Sequence, residues 1–165
     1  MGLVLAACTE KGLCFVGLWH EKQYLLSDLK KRYPNANFFE EQNKLKTSLE
    51  VLSDYLEGQK NDLALEVDLS GTAFQKNVWL ALRRVPYGET LSYTKLTLSM
   101  GLGAKSVRAV AHGCATNPVS LVIPCHRILR SDGSLGGYYW GLDRKRALLE
   151  MEGAVPHLLF QTSFI

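Results

Sequence analysis

Val119-Ser120-Leu121-Val122-Ile123 runs directly into Pro124-Cys125-His126-Arg127. The apolar run reads as a buried strand that delivers a cysteine to its end. Pro124 stiffens the entry, and the bases His126 and Arg127 favour thiolate over thiol. Adjacent residues on a strand face opposite ways, so His126 need not touch the sulfur and a water between them suits the spacing. An isolated cysteine is more often buried and inert, so the neighbouring segments have to decide whether this thiol reacts.

Upstream, Asn117-Pro118 closes a helix read from about Ala104 to Ala115, which carries Lys105 and Arg108. Its small residues Ala104, Ala109, Ala111 and Gly113 let the backbone approach a ligand closely. Gly101-Leu102-Gly103 is a turn, and before it Ser92 caps a helix bearing Tyr93, Leu96 and Met100. Two short helices about a glycine turn, the second basic, form a helix-turn-helix pattern, although other packed helix pairs share it. Thr72-Ala73-Phe74-Gln75 is a capping box opening a helix with Phe74, Val78, Leu82 and Val85 on one face, ended by Pro86-Tyr87-Gly88. Downstream of Arg127 lies a glycine-rich loop over 131–141, then a helix from an Asp143 cap to Glu152. Residues 154–165 are apolar without a period and carry no functional reading.

The first half has a different character. Residues 3–7 and 13–19 are apolar runs about Thr9-Glu10-Lys11-Gly12, a hairpin pattern that also accounts for the apolar start better than an export signal does. A short helix is expected over Ser27–Arg32 and an amphipathic one from Asn43 to Glu57 on Leu45, Leu49, Leu52 and Leu56. Leu63, Leu65, Val67 and Leu69 alternate with smaller or charged residues as a half-buried strand would. The domain boundary is placed near Ser70-Gly71, giving a structural domain over 1–70 and a DNA-binding, reactive domain over 71–165. Nothing in the first domain reads as catalytic.

The 165 residues are 47% apolar and 21% charged, which excludes a disordered, collagenous or coiled-coil chain. No apolar run approaches the roughly 20 residues that span a bilayer. Four cysteines without an export signal fit reduced thiols in the cytoplasm. The net charge of +3 divides into −3 over residues 1–70 and +6 over 71–165, so the second half suits a polyanion.

Ile123-Pro124-Cys125-His126-Arg127 resembles the active-site signature of the O6-alkylguanine-DNA alkyltransferases. The resemblance continues through Phe74-Gln75-x-x-Val78-Trp79, Pro86-Tyr87-Gly88-Glu89-Thr90, Ser92-Tyr93, Val107-Arg108-Ala109-Val110, Asn117-Pro118, Gly136-Gly137-Tyr138 and Leu148-Leu149-x-x-Glu152-Gly153. It covers nearly all of 72–153 in order, and the first half more loosely.

The resemblance implies an α+β fold, with a small ribonuclease H-like antiparallel sheet and helices followed by a mostly helical, winged-helix-like domain. It implies a monomeric suicide repair protein that flips O6-alkylguanine, and O4-alkylthymine, out of double-stranded DNA and takes the alkyl group on Cys125. His126 would act through a water as base, Glu152 would orient and charge it, Tyr93 would protonate the leaving base, and Asn117 would brace the turn. Arg108 would fill the gap left in the stack. Arg127, Ile128, Tyr138, Tyr139 and Trp140 would line the substrate site, and Gln75, Thr94, Lys105, Ser106 and Ser131 would meet DNA.

The turn Met100-Gly101-Leu102-Gly103-Ala104 is one residue longer than is usual in that family, which loosens the register of the second helix. His112 and Cys114 beside Cys125-His126 match no zinc spacing, and Cys8, Cys14 and His20 lack further ligands, so neither a metal nor a cofactor is expected. Two other functions compete. A non-enzymatic lesion-binding or regulatory protein using the helix-turn-helix alone is disfavoured, because members of the resembled family that bind lesions without repair carry another residue at the position of Cys125. A Cys–His hydrolase would draw its histidine from a distant part of the chain.

Overall fold

Apolar residues at successive positions place β1 (Leu3–Cys8) and β2 (Leu13–Trp19) in an antiparallel hairpin, Leu3 opposite Trp19. The computed structural model describes residues 2–154, so the expectation for 155–165 lies outside the described residues. Thr9 N–H closes the turn onto the Gly12 carbonyl at 2.9 Å. Gly12 has φ 146°, and a Cβ there would stand 2.7 Å from the Glu66 backbone, so no other residue fits without displacing that strand-like segment.

Every residue of β2 except Trp19 is buried, and its free edge collects two later segments. Leu13 bridges Val67 and Val16 bridges Val119, both parallel. Two expected strands are corrected by this arrangement. Leu63–Leu69 is extended but meets the sheet only around Val67, where Leu13 N–H donates to the Glu66 carbonyl and Asp68 N–H to the Leu13 carbonyl. Val119–Ile123 touches Val16 and then doubles back, with Val122 N–H bonded to the Ser120 carbonyl and Leu121 at φ 71°. A left-handed leucine costs on the order of 1–2 kcal/mol, offset here by burying its side chain. Cys125–Arg127 is therefore a 3₁₀ turn, not a strand end.

The helices are α1 (Lys22–Arg32), α2 (Gln42–Leu56), α3 (Ala73–Leu82), α4 (Tyr93–Ser99), α5 (Val107–Ala115) and α6 (Leu142–Met151). The Thr72 capping box forms in full, and Ser92 accepts from Lys95 N–H at 3.1 Å. α1 starts five residues before its expected start. The helix expected from Ala104 opens as a 3₁₀ turn over Ala104–Ser106. Gly141 at φ 94°, not Asp143, precedes α6, and Asp143 sits in the first turn where the helix dipole favours a carboxylate. A short parallel pair, β3 (Leu91–Ser92) with β4 (Ile128–Leu129), ties the start of α4 to the chain leaving Cys125.

One hydrophobic core runs through both halves, with Phe15, Leu52 and Tyr55 from the first and Val78, Trp79, Leu96, Val110, Ile123 and Trp140 from the second. The expected boundary at Ser70-Gly71 lies in the link between two parts that share this core. The fold is α+β. No helix of the described residues is long and apolar enough to cross a membrane.

α5 presses on α3 at Gly113, whose carbonyl accepts from the Trp79 indole N–H at 2.9 Å. Gly113 is thus buried against α3 and not on the face expected to approach DNA. A Cβ there would stand 3.0 Å from a methyl of Val78, a branched side chain with little room to move. Gly113→Ala should destabilise the protein by about 1–3 kcal/mol. Gly103→Ala, with nothing within 4 Å and an ordinary φ of −77°, should change stability by no more than about 0.5 kcal/mol. Urea unfolding midpoints of the two variants check this.

Candidate active site

The turn at Leu121 brings the end of α5 back over Cys125. Asn117, buried at the foot of α5, accepts Val119 N–H on Oδ1 at 3.0 Å. Its Nδ2 donates to the Ile123 carbonyl at 2.8 Å and to Cys125 Sγ at 3.2 Å. Burial pushes the Cys125 thiol up, and the Asn117 hydrogen bond and the Lys145 charge offset only part of that. The expectation that His126 and Arg127 would hold a thiolate is corrected: Arg127 spends its charge elsewhere, and the resting sulfur carries its proton.

Glu152, the residue just after α6, is where that charge goes. Its carboxylate accepts from His126 Nε2 at 2.7 Å, from Arg127 Nε at 2.8 Å and Nη2 at 3.1 Å, from Gly88 N–H at 3.2 Å, and from the Tyr55 hydroxyl. Burial alone would raise this carboxyl, but the His126 and Arg127 bonds outweigh it and hold it at about 2. An ionised acceptor at Nε2 fixes the imidazole tautomer with its other nitrogen, Nδ1, free of a proton. Nδ1 is buried and has no hydrogen-bond partner among the described residues. Burial lowers the His126 pKa despite Glu152, so the ring rests neutral. Glu152 therefore orients His126, and the imidazole becomes charged only when a proton is delivered to it.

Arg127 was expected at the substrate. Its guanidinium is instead buried on Glu152 and on the Val85 carbonyl at 2.7 Å. Trp140 likewise belongs to the core, 1% exposed, edge-on to Phe15 and bonded to Ser120 Oγ at 2.6 Å. Gln75 has its carboxamide engaged by Thr72 N–H at 2.9 Å and Thr116 Oγ1 at 3.2 Å.

The remaining expected residues divide between buried and exposed positions. The Tyr138 ring stands edge-on to His126, centroids 6.3 Å apart, with its hydroxyl buried and unpartnered among the described residues. Tyr93, the first residue of α4, is half-buried against Gly136, where a Cβ would come within 3.3 Å of its ring. Burial pushes its hydroxyl up to about 12, so it remains a proton donor. Arg108 and Lys105 are exposed at the start of α5 with Ser106 half-buried between them. Thr94 and Ser131 hydroxyls lie 3.1 Å apart at the loop's edge.

Three contributions escaped the sequence reading. Lys145 is fully buried on α6 and donates Nζ to the carbonyls of Ile128 at 2.6 Å, Gly137 at 3.3 Å and Leu135, holding the loop to the chain leaving Cys125. Burial lowers its ammonium to about 8. Its i, i+3, i+4 spacing with Leu148 and Leu149 was the available signal. From the first half, Asp28 accepts the Tyr139 hydroxyl at 2.5 Å and Arg32 Nε at 2.9 Å, and the Arg32 guanidinium lies 4.7 Å above the Tyr139 ring. Tyr55 reaches Glu152 from α2. Its place one turn after Leu52 put an aromatic hydroxyl on a buried face, where it needs a partner.

The family model of the 6-O-methylguanine DNA methyltransferase DNA-binding domain matches residues 73–154. The inducible methylated-DNA–protein-cysteine methyltransferase of Bacillus subtilis is 38% identical over 147 residues, 88% of this chain and 82% of its own. The bifunctional transcriptional activator/DNA repair enzyme Ada of Escherichia coli is 40% identical over 152 residues, 92% of this chain. This chain spans only 43% of that protein's length. The crystal structure of the Mycobacterium tuberculosis O6-methylguanine methyltransferase superposes with a TM-score of 0.78 at 32% identity, covering 95% of this chain and 90% of its own. The site is thus one of a thiol backed by a histidine–carboxylate pair beside a helix-turn-helix. The chain belongs to the O6-methylguanine-DNA methyltransferase family.

Glu152 also sets how the fold responds to acid. A carboxyl held at about 2, against an ordinary 4.5, contributes stability above 4.5 that is lost as pH falls toward 2. Glu152→Gln leaves Arg127 buried without its counter-charge, so it should cost about 3–5 kcal/mol at pH 7 and flatten the acid limb of stability against pH. Urea unfolding of both proteins from pH 7 to pH 2 measures the two effects.

Proposed function

We propose that this protein repairs O6-alkylguanine, and by the same O-alkyl chemistry O4-alkylthymine, in double-stranded DNA by moving the alkyl group onto its own Cys125. The supporting observation is the chain of groups from Asn117 through Cys125 to a neutral His126 oriented by an ionised Glu152. Arrival of the base displaces the thiol proton to His126 Nδ1 through one water, and the sulfur attacks the alkyl carbon. The S–C bond forms as the C–O bond breaks, and the guanine oxygen leaves with its electron pair while Tyr93 donates a proton to the base. A thioether has no ready leaving group, so each molecule acts once.

A stacked base cannot present its alkyl carbon in line with a buried sulfur, so the nucleotide has to be extruded. Arg108, Lys105, Ser106, Thr94 and Ser131 form the DNA-facing side, and the loop from Gly136 to Tyr139 walls the base pocket. The Ile128 carbonyl, which accepts from Lys145 Nζ, also accepts from the exocyclic amine on this reading. The solved complex of a Mycobacterium tuberculosis relative, 29% identical with a TM-score of 0.73, is one with DNA. The protein acts as a monomer on this reading, without cofactor or metal.

Incubation with an O6-methylguanine duplex should add one methyl group per chain, mapped to Cys125 by peptide mass. Label on Cys114, or repeated turnover, contradicts the assignment. Cys125→Ser should bind the duplex without transfer, as a lesion-binding protein would.

Arg108 separates extrusion from chemistry. If it occupies the place of the flipped base, Arg108→Ala should slow transfer from duplex by about tenfold or more while leaving transfer from a free O6-alkylguanine base within about twofold. Equal fractional losses on both substrates would place Arg108 in support of the thiol site instead.

A further inference from the structure

Glu152 Oε1 accepts three hydrogen bonds, from His126 Nε2, from the Tyr55 hydroxyl and from Arg127 Nη2 at 3.1 Å. Tyr55 is 0% exposed and its oxygen also lies 3.4 Å from Nε2, so phenol, carboxylate and imidazole meet at one point. The phenol is held there by its edge-on contact with the Tyr87 ring, centroids 6.0 Å apart, and Tyr87 is anchored in turn on the Met151 carbonyl at 3.2 Å. A buried tyrosine needs only some acceptor. This one takes the oxygen that accepts from His126, and it comes from α2, in the first half of the chain.

We propose that Tyr55 is a positioning residue for the transfer reaction: its hydroxyl draws charge from Glu152 Oε1, and so sets both the orientation and the proton affinity of His126. The inference rests on the reading of Cys125 as the alkyl acceptor. A carboxylate oxygen gives each donor less negative potential with every further hydrogen bond it accepts, so Tyr55 adds to what Arg127 Nη2 already draws from Oε1. With Tyr55 in place, Glu152 fixes the imidazole without stabilising the imidazolium so strongly that the ring would rest charged and useless as a base. The other groups facing the pair are Arg127 and Cys125 from the 3₁₀ turn, Tyr87 beside Gly88, Lys145 from α6 and Tyr138 from the loop. Arg127 and Lys145 both favour the neutral ring, Arg127 also bonds Oε1 through Nη2, and Tyr55 is the donor that α2 supplies to that oxygen. Tyr55 remains a donor throughout, because burial and the neighbouring carboxylate push its own ionisation far up.

The test is the single-turnover rate of alkyl transfer to Cys125 against pH, from an O6-methylguanine duplex and from free O6-benzylguanine. It is run on wild type, Tyr55→Phe, Tyr87→Phe and a protein carrying 3,5-difluorotyrosine at position 55. Tyr55→Phe should move the inflection of the rate profile to higher pH and lower the plateau by about tenfold, equally on both substrates. Fluorination makes the phenol a stronger donor at nearly the same volume, so it should move the inflection the opposite way. Tyr87→Phe should leave the inflection in place. The His126 ring titration followed by NMR in unreacted protein should shift in the same directions, independently of transfer. An unchanged inflection in both Tyr55 variants, or a loss of rate explained by a loss of folded protein alone, overturns the proposal. If wild type acquires no alkyl group, the assignment of Cys125 fails first and the role of Tyr55 falls with it.

Discussion

A carboxylate as deeply buried as Glu152 has to be surrounded by donors, and most of the site's architecture follows from supplying them. Its partners come from α2, from the turn after α3 and from the 3₁₀ turn at Cys125. A shift of the 3₁₀ turn would leave the carboxylate without its guanidinium, a loss of several kcal/mol. A shift of α2 or of the Gly88 turn would strip it of a hydrogen bond. The carboxylate is therefore both the electrostatic anchor of the base and the point at which sequence-distant segments are held in register. Arg127 balances its charge, which explains why a guanidinium two residues from the thiol has its charge absorbed by a carboxylate and not by the sulfur.

The same constraint ties the two halves together. Tyr55 meets Glu152, Asp28 and Arg32 meet Tyr139, and Phe15 packs on Trp140. Each pair joins the first 70 residues to the active-site loop or to the carboxylate. The hairpin and its helices thus do more than add hydrophobic area. They fix one wall of the loop and one side of the base, while Lys145 fixes the loop from beneath.

Local signals were legible where they rested on local physics. The Thr72 capping box, the Ser92 cap, the hairpin at Thr9–Gly12 and the amphipathic α2 are set by residues within a few positions of one another. The ordered motifs from Phe74 to Gly153 also led to His126 and Glu152, which meet in space, and to Asn117 and Cys125, which do so as well. What stayed hidden depended on distant partners. Val119–Ile123 is apolar enough for a strand, yet the β2 edge takes Pro118–Ser120 and the chain then reverses through a left-handed leucine. Arg127 was expected at the substrate as part of the Ile123–Arg127 signature, whereas its partner in space is a carboxylate 25 residues away. Tyr55 and Asp28 sit in a half with no motif, and only the tertiary contact gives them a chemical partner.

A protonated, buried thiol has a consequence for the chemistry proposed. Thiolate is the form that oxidises and that stray electrophiles alkylate, so a sulfur held as thiol is quiet between lesions. Reactivity then has to be created by the substrate, which displaces solvent, places its alkyl carbon beside the sulfur and lets the proton pass to Nδ1. Asn117 supports the charge that appears on sulfur, with Lys145 adding a second positive field, so both act most strongly as the thiolate forms. On the proposed reaction each molecule reacts once, and such a protein gains from this arrangement. The Cys125 thiol is then consumed when a correctly seated base completes the site, and not by whichever electrophile reaches it first.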